Sequence, residues 1–579
     1  MNNFFKSLKK VFTFTDDKHH LFRYDNASSD SSSSSDSNND SNLNSNEPNS
    51  TDSTTKKINS SISENQKYLE KAYNTKLSTD IVIRNFNVLV QNVRYKAFLI
   101  FIDGMVDSNL INDFVLSPLM LRNKANSYDG KQKKLVSEDI INNVKIKNYE
   151  NKKISKSNLT TFVYNNLLPQ NSVKKVLEFS DVFSAVNMGD CVLFIDTIEE
   201  AYDIDVKGFK QRSIEAPTNE VVVRGSQESF VENLRTNTSI LRRLINNENL
   251  VLESIKVGKI TKTNVSIGYI NGITNKKLVA EVKYRINNLD IDYLISSGQL
   301  EQLIQDNPNS IYPQMIATER PDKVVNYLFD GRVCILVNGS PYALVLPGVF
   351  VDFLSSPADF NLKYQFANLG KIIRLFSLLL SVLLPGMYIA VTNYHHELLP
   401  TELLFTIAAS RESVPFPIVV EILLMEISFE LIREAGVRVP TPLGPTIGIV
   451  GAIVLGDAAV SASLVSPILI IIVAITGICS FAIPDFSLNF TFRICRFLYI
   501  ILGYLAGFLG IAAGIFVQMV LMCNLKTFGA DYLDPIPINK RSISTYFVLP
   551  IWKRERKSDF VRPQKKYSEG KISMKWRYK

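Results

Sequence analysis

The feature that most restricts this chain is a run of apolar segments crowded between about Ile372 and Asn524. A helix needs about twenty mostly apolar residues to cross a bilayer core. Ile372–Thr392 meets that length despite Pro385, as do Ser463–Ile483 and Phe497–Cys523. Val414–Ile432 and Pro445–Ser461 are also apolar, though broken up by charge, proline or glycine. Together they predict a polytopic α-helical membrane domain over residues 358–525.

Charge sets the expected orientation. Of the formal +8, much is concentrated at the end: among residues 550–579, eleven Lys and Arg stand against Glu555, Asp559 and Glu569. By the positive-inside rule this basic tail, residues 526–579, is expected on the cytoplasmic side and facing lipid. The cations are not interleaved with aromatics as a patch on one domain, which argues against a nucleic-acid partner. Met1–Tyr24 has no apolar core ending in a small-residue cleavage site, so the N-terminal region is expected in the cytoplasm too. Two cytoplasmic ends demand an even number of crossings, whereas the apolar segments number five. Either His395–Arg411 is a sixth, amphipathic or re-entrant, element, or Pro445–Ser461 enters and returns; composition leaves both open.

Ahead of the membrane domain the chain reads as an α/β soluble region of two subdomains. Residues 1–63 end in a Ser-, Asn- and Asp-rich stretch, from Asn26, with too little apolar surface to offset the entropy of ordering. A disordered tether is expected there. In residues 64–208 the pattern predicts a strand at Tyr95–Ile102, an amphipathic helix at Ser108–Leu121, a helix at Val173–Asn187 and a strand at Cys191–Asp196. Asn123–Lys156, rich in Lys and Asn, reads as a surface insertion. In residues 209–357, Val221–Val223, Leu250–Lys256 and Ser266–Asn271 read as strands and Phe230–Ile245 as a helix. Asn338-Gly339, between Arg332–Val337 and Tyr342–Leu346, predicts a tight hairpin turn, because both residues tolerate φ > 0.

The sequence offers no enzyme signature. His395-His396-Glu397 lacks the second histidine of a zinc-protease helix, and no Gly-rich phosphate loop precedes a helix. The five cysteines have no paired spacing, so neither a metal site nor a disulfide framework is expected, and no cofactor. Asp103-Gly104, after an apolar strand, is either a ligand-binding turn or an ordinary strand-to-helix turn.

Function is carried instead by polar residues inside the apolar region. Glu421, Glu426, Glu430 and Glu434 lie in one segment, the last three sharing a helix face. A charge at the bilayer centre costs about 2.5–3.5 kcal/mol on insertion scales, so these acids must face helices or water. They either line an ion path, for which Glu421 and Glu426 are the better placed, or pair with Arg411, Arg433 and Arg438. Asp457 is a lone acid beside Gly456 and a further candidate for the ion path. Gly448 and Gly451, and Gly503, Gly507, Gly510 and Gly514, form small-residue faces for close helix packing, within one chain or between subunits.

The stretch Pro400–Pro484 then becomes recognisable. It contains Pro400-Thr401-Glu402-Leu403, Ala408-Ala409-Ser410-Arg411-Glu412, Val414-Pro415-Phe416-Pro417, Arg433-Glu434-Ala435-Gly436-Val437-Arg438 and Leu464-Val465-Ser466-Pro467. This closely resembles the A subunits of GerA-type spore germination receptors, and Phe101-Ile102-Asp103-Gly104, Glu220–Gly225 and Leu241-Arg242-Arg243 resemble their N-terminal pattern. Asp457 departs from the family, which often has a glutamine-like residue there, and Phe528–Pro535 matches only in part. The resemblance implies a multi-pass subunit of a nutrient sensor in the spore inner membrane. It implies two partners, a permease-like B subunit and a lipoprotein C subunit. It also implies self-association into a ring, a pentamer among the candidates, that forms a nutrient-gated cation channel. A SpoVAF-like amplifier of ion release, a non-channel scaffold and a secondary transporter are the alternatives.

Overall fold

The computed structural model describes residues 56–90, 93–120, 156–208, 224–438, 456–534, 547–550 and 561–565, and singly 217, 220, 222, 552 and 557. The first α/β unit is a five-stranded sheet in the order β1-β2-β4-β5-β3, antiparallel throughout. Its strands are Ile81–Val90 (β1), Val93–Ile102 (β2), Val173–Val176 (β3), Cys191–Ile195 (β4) and Ala201–Ile204 (β5). Every residue of the central strand β4 is buried, as its unbroken apolar sequence requires when both faces are covered. Ile62–Ala72 (α1) and Phe179–Met188 (α2) cover one face through Leu69, Phe179 and Val186. Helical turns at Ser108–Leu110, Ile111–Leu116 and Ser117–Met120 cover the other through Ile111, Val115 and Leu119.

Two expectations change here. Val173–Val176 is an edge strand and not the start of a helix. Its two lysines stay exposed, as suits a sheet edge, and the helix begins only after Glu178, whose extended backbone marks the boundary. Ordered chain also reaches into the stretch read as a tether, where Lys57 bridges Glu178 and Ile58 is buried beside Leu69. Residues 26–55 of that stretch, and the insertion from Asn123 up to residue 155, lie outside the described residues.

The second unit repeats the first. Leu250–Val257 (β6), Thr263–Ile270 (β7), Ile316–Thr318 (β8), Val333–Val337 (β9) and Ala343–Leu346 (β10) pair antiparallel in the order β6-β7-β9-β10-β8, the same permutation of chain order. Its helices are Leu234–Leu244 (α3), Lys276–Asn287 (α4), Ser297–Ile304 (α5) and Pro321–Phe329 (α6). The punctuation repeats as well. β2 ends in Ile102-Asp103-Gly104 with Gly104 at φ 90°, and β7 in Ile270-Asn271-Gly272 with Gly272 at φ 80°. Three residues after each glycine, Asp107 or Asn275 caps the following helical turn. Those paired tripeptides were the available sign of a duplication that the sequence reading missed.

Asn338-Gly339 does turn the chain, but only Gly339 takes a positive φ, 89°, and the register Ala343↔Leu336 leaves a wider loop than a two-residue turn. Val221 and Val223 are outside the described residues, and Val222 is buried but in no strand. Asp103-Gly104 is a strand-to-helix turn whose acid pairs with Arg235 of α3. Seven residues along the same helix, fully buried Arg242 grips Asp80 through two bonds of 2.7 and 2.9 Å. The amide of Asp103 donates to Asp80 O at 2.8 Å, so both arginines clamp one corner of the first unit.

The helical half comprises Tyr364–Tyr394 (α7), Thr401–Arg411 (α8), Ile418–Arg438 (α9), Pro467–Phe481 (α10) and Phe486–Asn524 (α11). α7 and α11 are long and apolar enough to cross a membrane, whereas α10 has 15 residues, fewer than the span expected over Ser463–Ile483. α11 is not one rod. A straight helix of its 39 residues would extend about 58 Å. Ala506 and Gly507 instead leave helical geometry, Gly507 at φ 58°, and the chain reverses. Gly514 thus lies against Leu502 and Tyr499, and the Tyr499 hydroxyl donates to Gln518 at 2.5 Å. α11 is a hairpin of two antiparallel arms, residues 486–505 and 508–524, packed on α7.

The ends of these helices define two levels. Near the α/β units lie the start of α7, held by Arg374 on Asp359, and the start of α11, where Thr491 donates to Ile311 O. At the far level Tyr394 donates to Tyr504 O at the hairpin turn, and His395 packs on Phe508. α9 and α10 are antiparallel, since Glu421 meets Ser466 at one end and Arg433 meets Ser480 at the other. Gly456 lies against Ile470, one turn into α10 at the far level. The chain therefore changes level along α7, α9, α10 and the two arms of α11, and Arg438 and Gly456 lie at opposite levels, which makes six changes in all.

Candidate functional site in the helical half

The site is built where α9 faces α10 and the first arm of α11. Pro417 and the following run of apolar residues start α9 without polar competition, and the acids recur along it at helical spacing. Glu421 is fully buried. Its carboxylate accepts from Ser466 N at 3.2 Å and lies 3.5 Å from Arg411 Nε at the end of α8. Glu426 is 1% exposed and meets Arg496 Nη1 at 2.5 Å, while Thr476 Oγ1 donates to it at 3.2 Å. Glu430 pairs with Arg493 and lies 3.8 Å from Arg433. Arg433 donates to Ser480 at 2.6 Å and stacks on Phe429 and Phe481. The result is a ladder of three acid–arginine rungs running from the far level to the near level.

Two of the arginines expected as partners take part, Arg411 and Arg433. The main partners of Glu426 and Glu430, Arg496 and Arg493, were missed because the last apolar segment was begun at Phe497. The sign was Arg493-Ile494-Cys495-Arg496, two cations one helical turn apart at the edge of that segment. Glu434 has interactions of its own at the near end of α9. Asp457 stands apart, exposed at the far level and off the ladder.

The glycines divide differently from their spacing. An added Cβ on Gly503 would stand 2.6 Å from Gly386 O, and one on Gly386 2.6 Å from Tyr499 O, so these two bring the backbones of α7 and α11 into contact. Gly507 supplies the reversal, and Gly510 and Gly514 let the arms close on Leu502 and Tyr499. All four serve packing within one chain. Gly448 and Gly451 lie outside the described residues.

A ladder of paired acids thus stands in a helical bundle attached to a duplicated α/β region. The family profile of the Bacillus/Clostridium GerA spore germination protein matches residues 67–560. The chain belongs to the GerA family. Among curated GerA-type relatives, spore germination protein KA of Bacillus subtilis is 37% identical over 496 residues, 85% of this chain and 86% of that one. Spore germination protein GerLA of Bacillus cereus is 38% identical, covering 68% of this chain and 77% of its own. Among solved structures, the N-terminal domain of the A subunit of the Bacillus megaterium spore germinant receptor GerK3 is 30% identical, covering 51% of this chain and 98% of that one with a TM-score of 0.36. The family is one of spore germination proteins.

Proposed function

We propose that this GerA protein is the A subunit of a nutrient germinant receptor, embedded in the spore inner membrane, and that it forms a cation channel as a ring of copies, a pentamer among the candidates. The similarity to germination proteins over most of the chain supports the receptor role. In this reading the six changes of level are six membrane crossings, with α8 a short re-entrant element at the far side. An even number leaves the α/β units and the basic tail together on the spore-core side, as the charge distribution requires. The exposed apolar side chains Phe376, Ile478, Phe490, Leu505 and Phe516 then face lipid or neighbouring copies. A permease-like B subunit and a lipoprotein C subunit are the expected partners.

The ladder supports a specific gating scheme. With Glu421, Glu426 and Glu430 each held by an arginine, this is the closed state, and cations pass when the first arm of α11 carries Arg493 and Arg496 away from α9. The freed acids then lower the desolvation barrier for cations, and ligand binding in a partner favours that state by differential affinity. Asp457 would sit at the far mouth. The test is ion flux through the purified protein in liposomes. Arg496→Gln should raise basal cation flux over the parent protein, and the further change Glu426→Gln should lower it again. If assembled protein conducts in none of these forms, the scaffold alternative replaces the channel; flux that saturates and exchanges with a substrate would favour a transporter.

A further inference from the structure

The duplicated α/β units differ in how they are finished. In the first, the chain leaving β5 folds back along the turn that follows β2. Asp107 N donates to Val206 O at 2.8 Å, Gly208 N donates to Met105 O at 3.1 Å, and Val106 bridges Lys207. In the second, the chain leaving β10 passes through Pro347 and Phe350–Phe353 into α7, away from the matching turn after β7. That place is taken by a distant segment. Gln564 N donates to Ile273 O at 2.9 Å, and Asn275 Nδ2 donates to the carbonyl of Arg562, 287 positions along the chain, at 3.1 Å.

Counted from Gly104 and Gly272, Ile273 and Asn275 are the counterparts of Met105 and Asp107, so residues 562–564 stand where residues 206–208 stand in the first unit. Val561 is fully buried and belongs to the same apolar core as Leu278 of α4 and Val333 of β9. Pro563 lies against Gly331, where an added Cβ would come within 3.1 Å of it. This part of the tail, expected to face lipid, is packed against protein.

We propose that residues 561–564 are a structural part of the second α/β unit, a strap that completes the duplicated fold and ties the chain beyond α11 back to the unit from which α7 departs. The strap holds by burial of Val561, by the backbone bond from Gln564 to Ile273 and by the bond from the Asn275 side chain to the Arg562 carbonyl, not by the charge of the surrounding tail. Its occupant is the chain's own segment, because the second unit has exhausted its local sequence at α7 and the tail returns to the same level.

Hydrogen exchange of the full-length protein in detergent tests this. Val561→Asp should speed exchange about tenfold in a peptide covering residues 270–282, while the counterpart peptide covering 102–114 stays at the parent rate. The doubly neutralised Lys571→Gln, Lys575→Gln protein should match the parent in both. Equal effects of Val561→Asp and charge neutralisation, or no effect of Val561→Asp, would overturn the proposal. A second measurement does not depend on the fold of that variant. Asn275→Cys with Arg562→Cys, in a background where exposed Cys523 is Ser, should oxidise to a crosslink within one chain. A crosslink between two chains would show the slot to be filled by a second copy and would overturn the intramolecular assignment.

Discussion

Both halves of the molecule bury arginine–carboxylate pairs, but they bury them in different ways. In the second α/β unit Arg332 meets Asp352 through two parallel bonds, 2.6 and 2.9 Å. The same arginine donates to Pro347 O, and Asp352 also accepts from Val349 N. In the helical half each rung is a single-point contact: Arg496 Nη1 on Glu426, Arg493 Nη1 on Glu430, and Arg411 Nε at 3.5 Å from Glu421. A forked pair fixes both position and angle, so it parts only by losing two charge-assisted bonds at once. A single-point pair between helices tolerates rotation and sliding. The forked Arg332–Asp352 pair therefore suits a fixed corner, and the ladder suits elements that separate.

The largest effect that would sharpen this contrast is expected at Arg332. Arg332→Leu leaves Asp352 buried without its partner and should cost about 3–5 kcal/mol, seen as loss of the cooperative unfolding transition of the α/β region. Next comes the backbone contact between α7 and α11. Gly503→Ala forces a methyl group into Gly386 O and should cost about 1–3 kcal/mol, read as a lower thermal midpoint in detergent. Smaller still is the coupling energy of Glu426 with Arg496 in a double-mutant cycle, about 1–2 kcal/mol, the range found for polar pairs between membrane helices. A coupling as large as that of Asp352 with Arg332 would break the contrast, and the ladder would then be a fixed structural element instead of a separable one.

How much of this was legible depended on what kind of physics wrote it. The strands Leu250–Val257 and Cys191–Ile195 and the long helix around Ile372–Thr392 were visible because local periodicity and apolar length are sequence properties. The acids of α9 were visible because a charge in an apolar helix has few explanations. Their true partners were hidden by a boundary placed at Phe497, four residues after Arg493. The reversal at Gly507 was hidden because a continuous apolar stretch looks the same whether it is one helix or two packed antiparallel; the backbone at Gly507 and the contacts of Gly514 and Gln518 with Tyr499 separate them. Counted as a crossing in the proposed topology, that reversal gives the even number that two ends on one side would need. The duplication lives mainly in strand order, and its only local trace is the pair Ile102-Asp103-Gly104 and Ile270-Asn271-Gly272, each too short to stand out alone.

A test of a different kind lies at the joint between the two regions, where neither style of pairing applies. Glu301 of α5 is largely withdrawn from water. Burial, with the Asp485 carboxylate at the start of α11 facing it, pushes its acid up to about 7 from an ordinary 4.5. Asp485 is itself raised by burial, with Lys323 acting against that shift and Glu220 adding to it. A carboxyl whose folded pKa is raised holds its proton in the folded state while the unfolded chain has released it. Stability is then fully present below about 4.5 and falls as pH rises toward 7. Glu301→Gln keeps the shape and removes the titration, so its thermal midpoint should vary less across that interval and exceed the parent's at pH 8. Midpoints that run parallel from pH 4 to 8 would mean that the joint carries no proton-linked strain, and that the α/β units and the helices meet as neutrally as two faces of one core.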